Sequence, residues 1–161
     1  RLANLKPRMT RAGLTNIHPE KIHSETAPRI ARLAGKADRV LVDAPCSGLG
    51  TLRRNPDLKY RQSPDTLASL QAQQQSILRA AAELVRAGGR LVYATCSILP
   101  EENENQAEHF LQTHPDFELL DCSELFAAQK IPLNTGKYLR LDTATHNTDG
   151  FFAAVFRRKG A

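Results

Sequence analysis

The sequence predicts an α/β fold on a mostly parallel sheet with an antiparallel final strand, and three observations carry that reading. Two unbroken apolar runs, Val40-Leu41-Val42 and Leu91-Val92-Tyr93, read as strands covered on both faces. Between them lies the longest stretch of helical periodicity in the chain. After residue 117 apolar segments recur with little helical pattern between them, so the alternation of helix and strand gives way to an antiparallel finish.

An opening helix carries Leu2, Leu5, Met9 and Ala12 on one side and stops at Gly13; Pro7 kinks it or delays its start. Residues 16–22 are expected to form a strand. A short helix over 27–34, stopped by Gly35, leads into the strand at Arg39-Val40-Leu41-Val42. The long helix begins at Ser63, which caps it, with Pro64 in its first turn. Leu67, Leu70, Ile77, Leu78, Ala81, Leu84 and Val85 form its apolar stripe, and Gly88-Gly89 is expected to end it. A strand over 90–94 follows, and Pro100-Glu101-Glu102 opens another helix with carboxylates at its positive end. A strand over 117–120, a long irregular stretch and a strand over 151–156 complete the chain.

At 161 residues, with 41% hydrophobic and 24% charged residues, the chain has the composition of one globular domain rather than a disordered one. No apolar run approaches the roughly 20 residues that span a bilayer, and no secretory leader is evident, so a cytoplasmic protein without membrane contact is expected. Three cysteines without framework or zinc-like spacing suggest free thiols and no metal. The net charge of +5 permits a nucleic-acid partner, and its distribution is more telling. Arg53, Arg54, Lys59, Tyr60 and Arg61 crowd one segment, which reads either as a grip on phosphates and a base or as a solvated basic loop.

The chemistry-bearing residues lie in two strand-end turns. Asp43-Ala44-Pro45-Cys46-Ser47-Gly48 follows the first apolar run, and Tyr93-Ala94-Thr95-Cys96-Ser97 follows the second. Reactive groups in open α/β sheets gather outside the carboxyl ends of strands, so Cys46 and Cys96 are expected to face one crevice. Cys122 has no motif around it and reads as a core residue. A thiol-redox pair is disfavoured by the long separation and the lack of Cys-x-x-Cys.

DAPCSGLG followed by RRNPDLKYR, then ATCSILPEENE and the terminal HNTDGFF, together resemble the Nol/Nop/Sun family of RNA cytosine-5 methyltransferases, with most likeness to bacterial Sun or Fmu members. The resemblance implies a Rossmann-like class I fold, S-adenosylmethionine as cofactor and RNA as substrate, ribosomal RNA ahead of transfer RNA. It implies Cys96 as the nucleophile that adds to cytosine C6, and Cys46 as the residue that assists release. Asp43 would sit between cofactor and base, cofactor contacts are expected at Asp43, Pro45 and Glu25, and Arg53, Arg54, Lys59 and Tyr60 would hold flanking RNA. The helix near Pro100 is a candidate activator of the thiol. His146 and Asp149 serve either the site or the order of their loop.

The family's glycine loop after its first strand and its ribose-binding acid after the second have no match here, and residues 1–5 resemble the helix beyond that acid. Residues 1–161 are thus expected to be a partial catalytic domain without its N-terminal strands. Such a domain would have an exposed sheet edge, weak cofactor affinity and little methyl transfer on its own. A non-catalytic RNA-binding module is the alternative.

Overall fold

β1 (Ala37–Asp43) and β2 (Val85–Thr95) run parallel side by side, with Val40 opposite Leu91 and Asp43 opposite Ala94. The structure, a computed structural model, describes residues 2–25 and 27–160; Arg1, the first of the residues 1–5 expected to be helical, lies outside them. β5 (Phe151–Arg158) lies antiparallel to β2 on the other side. It also pairs antiparallel with β3 (Phe117–Leu120) and β4 (Leu139–Leu141), giving the order β1-β2-β5-β3 with β4 on β5. The antiparallel final strand is therefore present. Its three pairings leave β1–β2 as the single parallel pair among the described residues, so the sheet is mixed.

Six helices accompany the strands among the described residues: α1 (Leu5–Arg11), α2 (Pro28–Ala31), α3 (Pro64–Leu84), α4 (Glu104–Thr113), α5 (Cys122–Ala128) and α6 (Thr143–His146). α3 starts where the sequence places it, the Ser63 hydroxyl accepting from the Thr66 amide. It buries Leu78, Ala81 and Ala82 against Leu91, Tyr93 and Phe156 of the sheet, while Ala107 and Phe110 of α4 extend the same core. Phe110 meets Phe117 and Phe156 with ring centroids 5.2 and 4.7 Å apart.

Four expectations are corrected. α3 ends at Leu84, ahead of the Gly88-Gly89 pair, because Val85 turns extended; the glycines sit inside β2 at a register break opposite β1. Residues 16–22 form no strand, since none of the described strands offers them a ladder, and Ile17 and Ile22 stay exposed. β1 is covered on one face rather than two: Val40 and Val42 meet the core, whereas Leu41 is 70% exposed. The irregular stretch after β3 contains α5, β4 and α6, each short helix capped by an aspartate, Asp121 or Asp142, at its start.

Candidate active site

The parallel register carries both cysteine turns to the same end of the sheet. Ala44 donates its amide to the Ala94 carbonyl at 2.9 Å, prolonging the ladder one step past β1. Beyond it the turns converge, and the Sγ atoms of Cys46 and Cys96 stand 3.4 Å apart, both half-buried free thiols. Separation in sequence is thus not separation in space for this pair.

The two thiols differ in acidity. Cys96 is lowered to about 7, first by the hydrogen bond from Cys46, against opposing burial and the nearby Asp43 and Glu102 carboxylates. Cys46 is pushed far up by that same hydrogen bond and by burial. Of the two, Cys96 is therefore the thiol that ionises first and Cys46 the one that keeps its proton. The activating contact is the neighbouring thiol rather than a helix terminus: the chain after Leu99 forms a 3-10 turn over Pro100–Glu102, and α4 begins only at Glu104.

That 3-10 turn supplies Glu102, which the sequence places among the carboxylates at the positive end of a helix. Glu102 is fully buried. Its Oε1 accepts from the Ser47 amide at 2.8 Å and from Gln74 Nε2 at 3.1 Å. Its Oε2 accepts from the hydroxyls of Ser47 and Ser97, both at 2.5 Å. Gln74, from α3, also donates to the Pro45 carbonyl at 2.9 Å. The Tyr93 hydroxyl donates to the Glu102 carbonyl at 2.6 Å, and Asn103 bridges Thr95 and the Ser97 carbonyl. The repeated Cys-Ser dipeptide was the one sequence signal for this bracket; buried polar groups are satisfied through contacts that sequence order does not display.

Glycines let the turns close. Gly50 donates its amide to the Cys96 carbonyl at 2.8 Å and accepts from Gly150 at 2.7 Å. A Cβ on Gly50 would come 2.3 Å from the Gly150 oxygen and 2.7 Å from that of Cys96.

Of the other candidates, Asp43 stands exposed at the end of β1, close enough to act on Cys96, with no ion pair among the described residues. Pro45 is exposed in the same turn. Glu25 lies elsewhere: its carboxylate accepts from Ser76 at 2.6 Å and lines a groove between α2 and α3 that shares no residue with the cysteine turns. Arg53 and Arg54 both bind Asp149, Arg54 at 3.1 Å, which joins the basic segment to the loop before β5. Lys59 lies 4.8 Å from the Tyr60 ring centroid, and Tyr60 is 81% exposed. His146 is a local cap, its Nδ1 accepting from the Asp142 amide at 3.1 Å. Cys122 is buried at the start of α5, as a core residue. The described residues contain no cluster fit to hold a metal ion and no helix long and apolar enough to cross a membrane.

Known proteins resemble this chain in sequence and in fold. A family model described as 16S rRNA methyltransferase RsmB/F matches residues 1–157. A probable ribosomal RNA small subunit methyltransferase B from Synechocystis is 42% identical over 160 residues, 98% of this chain and 35% of the relative. The protein of the same name from Bacillus subtilis is 42% identical over 167 residues, 97% of this chain and 35% of its own. The chain thus spans about a third of the length of these curated relatives. Among solved structures, PH0851 superposes with a TM-score of 0.86 at 35% identity, over 98% of this chain and 34% of that one. NSun6 from Pyrococcus horikoshii, solved with SFG, superposes with a TM-score of 0.80 at 27% identity, over all of this chain and 39% of that one. The fold is that of the Sun and Nop methyltransferases, and the chain belongs to the RsmB/F family.

Proposed function

We propose that this chain carries the thiol half of an S-adenosylmethionine-dependent RNA cytosine-5 methyltransferase acting on ribosomal RNA in the cytoplasm. The observation that carries the reading is the Cys46–Cys96 contact of 3.4 Å with the acidity divided between its partners. C5 of cytosine is a weak nucleophile, and addition of a thiolate to C6 overcomes that. Cys96, half ionised near pH 7, forms the C6–S bond, and the C5–C6 π pair moves to C5 as the nucleophile. S-adenosylmethionine, when bound, supplies the methyl group that C5 takes. Transfer of the C5 proton to solvent water then restores the C5–C6 double bond as the C6–S bond breaks, its electron pair leaving with Cys96 as thiolate. Cys46, still a neutral thiol, donates to the returning charge on Cys96 and so favours departure.

The residues present suit the charged end of the cofactor. Asp43 is an exposed carboxylate without a cation beside the nucleophile, a fitting partner for a sulfonium or ammonium group or for the cytosine amino edge. SFG, bound by the archaeal NSun6 structure, is an analogue of the same cofactor. Tyr60 and Lys59 offer a stacking face and a cation for RNA that is already unpaired. Glu25 serves the cofactor only where the groove between α2 and α3 adjoins it.

Labelled methyl transfer to 16S rRNA and to tRNA tests this reading. Two proteins are compared: this chain alone, and a chimera with this chain in place of the matching segment of the Bacillus subtilis relative. Little transfer by the chain and ready transfer to rRNA by the chimera are expected. RNA binding by the chimera with no transfer would favour the non-catalytic module, and transfer to tRNA alone would overturn the substrate.

A further inference from the structure

The one buried carboxylate that touches both cysteine turns has no cation to pair with among the described residues. Burying such a group is costly, and Glu102 is retained on four donors instead. Three of these donors come from the residue directly after each cysteine: the Ser47 amide and hydroxyl, and the Ser97 hydroxyl. The two hydroxyls converge on one oxygen and stand 3.2 Å from each other, so the turns cannot separate without breaking a buried charge-assisted bond. Gln74 fixes the other oxygen and the Pro45 carbonyl to α3, holding the Cys46 side from behind. Apolar packing would fasten two turns as well without the burial cost. What the carboxylate adds is a defined spacing between them.

We propose that Glu102 is a positioning residue for the thiol pair: by gathering Ser47 and Ser97 on one carboxylate it sets the separation at which Cys46 donates to Cys96. The proposal deepens the methyltransferase reading and rests on it for Cys96 as nucleophile. Its prediction has a sign that a bare charge effect does not share. The titratable groups about Cys96 are Cys46 and Asp43 from the β1 side, Glu102 from the following turn and Tyr93 behind on β2. Glu102 acting only through its charge disfavours the thiolate, so neutralising it would lower the acidity midpoint of Cys96. A lost bracket lets Cys46 drift, removes the largest stabilising contact, and raises that midpoint.

The test is iodoacetamide alkylation of Cys96, resolved by peptide mass spectrometry, across a pH series on folded protein. Glu102→Gln is expected to raise the midpoint by about one unit, cutting the rate at neutral pH about fivefold or more. A midpoint that stays or falls in folded Glu102→Gln overturns the proposal. If that variant does not fold, Ser97→Ala, which removes one arm, is expected to give a smaller rise, and no rise there overturns it equally. In a Cys46→Ala background Glu102→Gln is expected to add no further rise, since its route runs through Cys46; an equal further rise overturns that route. The readout needs neither cofactor nor RNA, so its failure and a failure of methyl transfer are told apart.

Discussion

Cys46 and Cys96, fifty positions apart in the chain, hold their sulfurs 3.4 Å from one another across the ends of two parallel strands. One shared proton then has a preferred owner. Cys46 keeps it because its hydrogen bond with Cys96 and then burial oppose its ionisation, and Cys96 ionises because it accepts from Cys46. Only the thiolate alkylates, so Cys96 labelling is expected to climb through about pH 7 while Cys46 stays inert over the same range. Cys46→Ala removes the donor and is expected to move the climb upward, toward the ordinary thiol value of 9.0. Equal labelling of both cysteines at neutral pH would sink the division of roles.

The same division predicts different failures for two substitutions in the methyl-transferring chimera. Cys96→Ser removes the nucleophile and is expected to lower transfer by about three orders of magnitude or more, with no RNA retained. Cys46→Ser leaves attack possible and weakens departure. Denaturing gels should then show a protein–RNA adduct that persists. Matching, mild losses in both variants would contradict the proposed chemistry.

Much of this site was legible in sequence because parallel strands ending in a turn leave few places for the next residue. The apolar runs at 40–42 and 91–93 set the strands, and the residues just beyond them had to meet at one sheet end. Glu102 was not legible in the same way. Two adjacent glutamates after Pro100 read as a helix start, and only the folded chain turns one inward to Ser47 and Ser97 while Glu101 stays exposed. The Gly88-Gly89 pair misled for a related reason: glycine permits a helix stop and a strand irregularity alike, and the pairing of Val85 with Ala37 decides between them. The strand expected over 16–22 failed because periodicity states which residues suit a ladder, not whether a partner stands beside them.

Gly50 and Gly150 approach so closely that neither accepts a side chain. In Gly50→Ala the new Cβ would meet two carbonyl oxygens of fixed backbone, from Gly150 and Cys96. Relief requires the first cysteine turn to back away from the second. A loss of about 2 to 4 kcal/mol in urea unfolding is expected, together with slower Cys96 alkylation at neutral pH. Wild-type stability in this variant would mean that the turns are not packed as described.

Asp149 pairs with Arg53 and Arg54, two of the residues proposed to hold RNA. Both guanidinium groups of Arg53 and Arg54 contact its carboxylate, which leaves Lys59 and the exposed Tyr60 as the unburdened part of the basic segment. Asp149→Asn is expected to tighten binding to single-stranded RNA. Its salt dependence should steepen by about 0.7 in log K per log salt for each arginine that finds a phosphate. Tyr60→Ala is expected to cost about 1 to 3 kcal/mol with little change in that slope, since stacking releases few ions. Fluorescence anisotropy across a salt series separates the two; weaker binding by Asp149→Asn would mean that the ion pairs order the loop for RNA rather than compete with it.

β1 has a partner strand on one side only among the described residues, and Arg39, Leu41 and Asp43 on its outer face are exposed. Leu41, 70% exposed, sits at the centre of that edge with its backbone groups on offer beside it. An apolar side chain on an unpaired strand favours edge-to-edge pairing, and a charge there opposes it. The isolated chain is therefore expected to self-associate as its concentration rises. Leu41→Lys should return it to a monomer without changing Cys96 alkylation, because Leu41 points away from the core that Val40 and Val42 build. Light scattering coupled to size exclusion decides it: association that is unchanged in Leu41→Lys would place the contact on another surface.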